Sequence, residues 1–409
     1  MDRSASDVAK ALARLQQAVR YPRAAEEPHR GMRMGRIPSD LLGRDGQRGF
    51  ALTTRDQLDA FADVRRLLLD DPHYEHLNDN ASDEAVWRFA CRARIQGKGI
   101  VKAFVAEHDR EPVERTCLFP VEQLAVREEF ELGGVPLLPV DSVPVPEPQF
   151  FPDPRPTMRS IIAVTCSGTN LDRMRERARV TAEYTLRLLR VALGDRLDPS
   201  QLRFRLGEIA WFEDEHVWWG TSPDRAIELD LSRGVFAMAK ERTIVSVPPD
   251  SGSEIDERVR LALEWIERAQ LTTEPLVSLL FLFFAVEAIL GDRFDSLKGH
   301  NLAVRRAMLS FLTTENETAS HPSVLFDLYK HVRSAAVHGE QPPVLAKQEI
   351  RGFESDVRMA IEQYLTFART RGLSARNEVI GALVNDERYE GFVERLRTDD
   401  PTRWKDFGR

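Results

Sequence analysis

The sequence predicts an α+β chain in which a mixed N-terminal region is followed by an all-helical C-terminal bundle. Three observations carry this. Strand-like runs rich in β-branched residues occur between about 97 and 246. A stretch holding eight of the 23 prolines, 136–156, interrupts them. After Ser253 every segment has helical periodicity with short connections, the pattern of an antiparallel bundle.

The 409 residues correspond to two or three domains, and 42% apolar content is enough for ordinary buried cores. With 30% charged residues, a formal charge of -8 and a pI near 5.7, bulk charge does not drive nucleic-acid binding, although a local basic site stays compatible. Only eight of the 57 basic residues are lysine, which fits the codon usage of a GC-rich bacterial genome. Cys91, Cys117 and Cys166 are too far apart for a CxxC pair and suit a reducing cytoplasm. MDRSASDVAKALARLQQAVRY is a charged amphipathic helix without the apolar core of a signal peptide. A cytoplasmic protein is expected, with no membrane partner.

Four regions follow. Residues 1–96 are expected to be mostly helical. Thr54 and Gln57 form a capping box before one helix and Ser82 caps another, with a polar loop containing His73 and His76 between them. Residues 97–250 form a mixed α+β sensing or regulatory domain. GIVKAFVAEH, EQLAVREEFEL and RSIIAVTCSG read as strands, and 136–156 as an extended connector unfit for a central strand. The 171–193 helix carries an apolar stripe of Met174, Val180, Tyr184, Leu188 and Val191. Its first half holds Arg173, Arg175, Arg177 and Arg179, a solvated face or a phosphate-contacting strip. RFRLGEIAWFED, HVWWGT, AIELDL and RTIVSV are further strands.

Residues 251–372 form the bundle and 373–409 a helical extension. Ser253 with Asp256 resembles a capping pair. PLVSLLFLFFAVEAIL, broken by Ser278 and Glu287, is shorter than the roughly 20 residues of a span and reads as a buried helix. The fourth bundle helix buries Leu325, Leu328, Val332 and Ala335/Ala336 and ends at His338. Gly339 suits the left-handed position beyond a helix end, and Pro342 and Pro343 forbid continuation.

Arg333 and His338 lie off that stripe. Five residues on an α-helix are about 140° apart, so one regular helix does not aim both at one atom. Either the helix end bends His338 back, or a second copy supplies a facing pair. Two such pairs suit RNA cleavage: imidazole can take or give a proton near neutrality, and guanidinium can hold the charge building on phosphate oxygens. On the residues alone, Arg333 pairing with a surface acid and His338 capping a helix is the better reading.

FLFFAVEAILGD, HNLAVRRAMLSFL and LYKHVRSAAVHGE together resemble the HEPN superfamily, specifically the Apea-like HEPN domains, over roughly 275–370. That family carries Arg, four to six residues, then His, often with a small polar residue after the Arg, and an acid in an earlier apolar helix. Arg333, Ser334, His338 and Glu287 match those places. The resemblance implies a homodimeric, metal-independent endoribonuclease of bacterial anti-phage defence (abortive infection), acting on RNA, with tRNA a candidate. Arg333 and His338 would be catalytic. Ser334, Glu287 (a salt bridge orienting Arg333) and His331 (an RNA contact) would support them. A phage-derived activator would act at the N-terminal region. No cofactor or metal is expected. The alternative is a non-catalytic HEPN module binding nucleotides or a partner protein, which the lack of a basic stripe in 275–370 favours. Dimerisation alone is a third role. HYEH has no partner cluster for a metal, and FEDEHVWW (Glu213, Asp214, Glu215 and His216) reads as a hairpin tip, not a metal site.

Overall fold

In the computed structural model, the described residues are 3–20, 33–38, 41, 49–96, 99–143, 159–194, 202–207, 210–213, 229–231, 239, 241–295, 297–314, 322–341, 343–405 and 407. The chain divides into two units. The first comprises 1–117 and 165–178, the second 118–164 and 179–409. The boundaries between the two units fall inside secondary-structure elements.

In the first unit, α1 (Arg3–Arg20), α2 (Arg55–Asp70), α3 (Asp79–Ile95) and α4 (Ile100–His108) share one core around Leu12, Phe61, Val64, Val86 and Phe89. The Thr54–Gln57 capping box forms as the sequence predicts: the Gln57 N–H donates to Thr54 Oγ1, and the Thr54 N–H to Gln57 Oε1. Ser82 is not the cap of α3. Asn78 is, accepting the Ala81 N–H at 2.9 Å, while Ser82 is buried one turn inside. The region also holds an antiparallel ribbon of β1 (Arg33–Arg36) and β2 (Gly49–Leu52).

GIVKAFVAEH is helix α4, not a strand. Ile100 and Phe104, one turn apart, are buried together, and Phe104 meets Phe89 edge to face at 5.5 Å. The tertiary contact overrides the β-branched composition.

The main sheet has the order β5 (Phe130–Leu132), β6 (Val135–Pro139), β7 (Ser160–Gly168), β3 (Val113–Glu122), β8 (Arg205–Leu206), with β9 (Trp211–Phe212) also on β3. β4 (Leu124–Val126) pairs in parallel with β10 (Leu229–Leu231). Leu118, Val140, Ile161, Ala163 and Trp211 form a small core here. Two expectations fail. The start of the proline stretch is an internal strand, since β6 lies between β5 and β7. It is tolerated because β5 pairs with 135–137 and β7 with 137–139, so Pro136 and Pro139 each stand where β6 has one partner. RTIVSV is a 3-10 turn, Thr243–Ser246, that buries Ile244 and Val245. HVWWGT and residues 144–158 lie outside the described residues.

Helix α5 (Leu171–Leu193) buries the predicted stripe except Val180, which is 65% exposed; Ala178 and Ala182 take the inward places.

The bundle comprises α6 (Glu254–Leu271), α7 (Pro275–Leu290), α8 (Lys298–Thr314), α9 (Pro322–Leu328) and α10 (Lys347–Thr370). α11 (Arg376–Val384), α12 (Tyr389–Asp399) and α13 (Pro401–Trp404) follow. α6 buries Val259, Ala262, Ile266 and Ala269 as its periodicity predicts. Its cap differs: Ser253 occupies the N-cap without a side-chain bond, and Asp256 instead accepts the Ser251 hydroxyl at 2.7 Å. α7 is a bundle helix, and no described helix is long and apolar enough to cross a membrane. Two arginines on α8 are buried and paired with acids. Arg306 donates to Asp356 and Gln363 of α10, at 2.7 Å each, and Arg305 holds Asp295.

Candidate active site

The site begins with α7. Its apolar faces bury it, and the one acid it carries, Glu287, comes just before the helix ends at Gly291. Phe283 and Glu287 are one turn apart on the same face. Opposite them the chain leaves α9 and enters a π-turn, Tyr329–Ser334, before a final turn at Ala335–Val337. Tyr329 meets Phe283 edge to face at 5.5 Å and 88°, and one step further Arg333 meets Glu287, with Nη2 to Oε1 at 3.0 Å. Two contacts, each four residues on in both segments, therefore fix the π-turn against α7.

A close approach from α8 locks Tyr329. A Cβ on Gly299 would come within 2.7 Å of the Tyr329 ring, so only glycine leaves room for it. The Tyr329 ring in turn carries the Arg333 guanidinium at 5.0 Å, a cation–π contact. Arg333 is thus held on one side by charge and on another by an aromatic face. The pair is part-buried, with side-chain exposures of 18% for Arg333 and 26% for Glu287. Burial raises the Glu287 carboxyl above its ordinary range, and Arg333 and Lys298 pull it partway back. Arg333 Nε is buried and has no hydrogen-bond partner among the described residues.

The π-turn changes the angular argument made for an unbroken α-helix. Its i→i+5 hydrogen bonding widens the turn, so each residue advances the chain by a smaller angle. Arg333 lies within the widened turn and His338 just past it, so the 140° offset does not describe them. No described hydrogen bond or ion pair joins the two side chains.

His338 occupies the helix end that the sequence predicts. Its N–H donates to the Ser334 carbonyl at 3.0 Å. Gly339 follows at φ +76°, and the Glu340 N–H closes the terminus on the Ala335 carbonyl at 2.9 Å. The His338 side chain is exposed, and its ring makes no hydrogen bond or ion pair among the described residues. Ser334 is half-buried and acts here through its carbonyl. His331 is exposed within the π-turn. The fold thus brings Glu287 to Arg333 and leaves His338 and His331 exposed on the same helical segment.

The other candidates resolve structurally. His73 Nδ1 lies 2.8 Å from Asp109, and no group of three metal-capable side chains occurs among the described residues. Asp214, Glu215 and His216 lie outside them. In the α5 arginine row, Arg173 donates to the Leu69 carbonyl, Arg175 pairs with Asp172, Arg177 with Glu75, and Arg179 reaches the Gly207 carbonyl. Each of these guanidiniums has a protein partner.

Sequence reasoning missed Tyr329 and Gly299. The available signal was the repeated spacing, Phe283 to Glu287 on one helix and Tyr329 to Arg333 on the other. No protein-family model, curated protein or solved structure matches this chain.

Proposed function

We propose that this chain is a metal-independent endoribonuclease that acts as a homodimer through its C-terminal bundle. The observation that carries this reading is the anchored Arg333, fixed by Glu287 and Tyr329, four residues before an exposed helix-end segment that presents His338.

The chemistry follows from these groups. A histidine takes the proton of the ribose 2′-hydroxyl as that oxygen bonds to the adjacent phosphorus. The bond from phosphorus to the 5′-oxygen breaks, and that oxygen receives a proton from a second imidazolium. Arg333 holds the non-bridging oxygens as negative charge builds on them, and needs no reorganisation because its orientation is already fixed. Two copies of His338 facing one groove would supply base and acid together, and their titrations would belong to the pair. The resemblance to Apea-like HEPN domains assigns the activity to anti-phage defence in a bacterial cytoplasm, with residues 1–250 sensing a phage product.

The test is the chemistry of the ends. RNA incubated with the protein in EDTA should yield 2′,3′-cyclic phosphate and 5′-hydroxyl termini, and DNA of the same sequence, lacking the 2′-hydroxyl, should stay intact. Cleavage of both polymers, or 5′-phosphate ends, would contradict the mechanism. RNA binding without cleavage would instead make the bundle a non-catalytic binding module.

A further inference from the structure

The loop that follows α7 places an exposed aromatic ring beside the site, and the loop is built to keep it there. Asp292 accepts the Phe294 N–H at 3.0 Å, and Asp295 accepts the Asp292 N–H at 3.2 Å. Asp295 is itself held by both terminal nitrogens of Arg305, at 2.7 and 2.8 Å, in a pair less than 10% exposed; Arg305 also donates to the Leu290 carbonyl at 3.0 Å. A buried ion pair on α8 therefore fixes the short turn whose tip is Arg293 and Phe294.

Phe294 is 78% exposed, the only aromatic among the strongly exposed apolar side chains of the described residues. The Arg293 guanidinium lies 4.5 Å from its ring centroid. The residues on either side of Phe294 line a cleft of about 230 Å3 whose wall also includes Glu287, the partner of Arg333, together with Lys298 and Arg376. Two of the acids in this wall, Glu287 and Asp295, are already paired with Arg333 and Arg305. Arg293 and Lys298 are exposed and make no hydrogen bond or ion pair among the described residues. Asp292, the third acid of the wall, has no ion-pair partner among the described residues, so three cations, Arg293, Lys298 and Arg376, face one carboxylate that no arginine holds, an excess of positive charge that a phosphate would complement.

We infer that Phe294, Arg293 and Lys298 form a subsite for single-stranded RNA, in which an unpaired nucleobase stacks on Phe294 and the adjoining phosphate meets Lys298. This deepens the nuclease reading and rests on it for the identity of the ligand. An exposed aromatic flanked by cations binds single strands because every base has a π-face and each phosphate a charge, whereas a duplex keeps its bases stacked internally. The subsite therefore selects loops and single-stranded ends over helices, and delivers them to the wall that carries Glu287, the partner of Arg333.

The experiment uses the full chain and a short 2′-O-methyl oligonucleotide, which cannot be cut, as a single strand and as a duplex. Phe294→Ala should weaken single-strand binding about tenfold and leave duplex binding unchanged, Phe294→Tyr should restore it, and thermal stability should not move. The Phe294→Trp variant should show fluorescence quenching by the single strand beyond that of wild type. Unchanged single-strand affinity in Phe294→Ala would overturn the subsite. So would a changed sedimentation coefficient, which would make Phe294 a contact between copies. Because the probe is uncleavable, the two readings fail separately: cleavage with normal binding by Phe294→Ala removes the subsite alone, and stacking without cleavage of ordinary RNA removes the nuclease alone.

Discussion

Glu287 Oε1 and Arg333 Nη2 lie 3.0 Å apart, between the end of one apolar helix and a π-turn in another. The pair is buried enough that the Glu287 carboxylate needs Arg333, and exposed enough that Arg333 can still reach a ligand.

Removing Arg333 should therefore cost stability in a pH-dependent way. A part-buried pair lies between surface and core cases, so Arg333→Ala should lose about 1–2 kcal/mol at neutral pH. The sign of the pH dependence follows from Glu287, whose carboxyl is already raised by burial and would rise further without Arg333. An acid raised on folding keeps its proton where the unfolded chain has released it, so stability falls as pH climbs from the ordinary glutamate value of about 4.3 to the folded value. The deficit should be largest near neutrality and shrink toward about pH 4, as read by urea denaturation at both pH values. Glu287→Gln, which mimics the protonated acid, should be no less stable than wild type at neutral pH yet lose activity with the anchor of Arg333. A deficit in Arg333→Ala independent of pH would contradict the coupling.

Gly339 at φ +76° has open space where a Cβ would go, so substitution there meets only backbone strain. Gly339→Ala should cost about 1 kcal/mol and Gly339→Asn less, since asparagine tolerates the left-handed region. Because Gly339 immediately follows His338, alanine should lower cleavage more than asparagine does.

The Arg305–Asp295 pair should matter more to stability than the one at the site. It is nearly inaccessible and bidentate. Arg305→Leu or Asp295→Ala should each cost about 3–5 kcal/mol by leaving a buried charge uncompensated, and the double variant should recover part of that loss. Additive losses in denaturant titrations would show that the two do not act as a pair.

The C-terminal segment clamps the start of the functional helix. Trp404 and Phe407 pack on His300, His300 Nε2 lies 2.8 Å from the Arg403 carbonyl oxygen, and Arg403 holds Asp327 of α9 at 2.8 and 2.9 Å. Truncation after Asp399 should lower the melting temperature and speed hydrogen exchange in 322–334. Unchanged exchange there would show that the clamp does not reach the π-turn.

Much of the bundle was legible because helical periodicity, a glycine stop and two prolines are local signals. The reading of Pro275–Leu290 as a buried helix and the end at His338 follow from them, and outside the bundle the Thr54–Gln57 box follows from an equally local capping pattern. The Glu287–Arg333 pair was legible only through the resemblance, since nothing in either segment alone says which acid faces which base. What was not legible depends on contacts distant in sequence. α4 is helical because Ile100 and Phe104 meet a core, and Pro136 fits an internal strand because its two neighbours are staggered. The π-turn is set by Tyr329 wedging against Phe283 and Gly299, a fit among three helices that no periodicity encodes.

The most direct test of the central claim is cleavage of total tRNA and of a labelled single-stranded RNA in EDTA by wild type, His338→Ala and Arg333→Ala, with folding matched by circular dichroism. The account predicts cutting by wild type alone and on RNA alone, with both variants falling by at least about a hundredfold. Cutting by folded His338→Ala at the wild-type rate would contradict it.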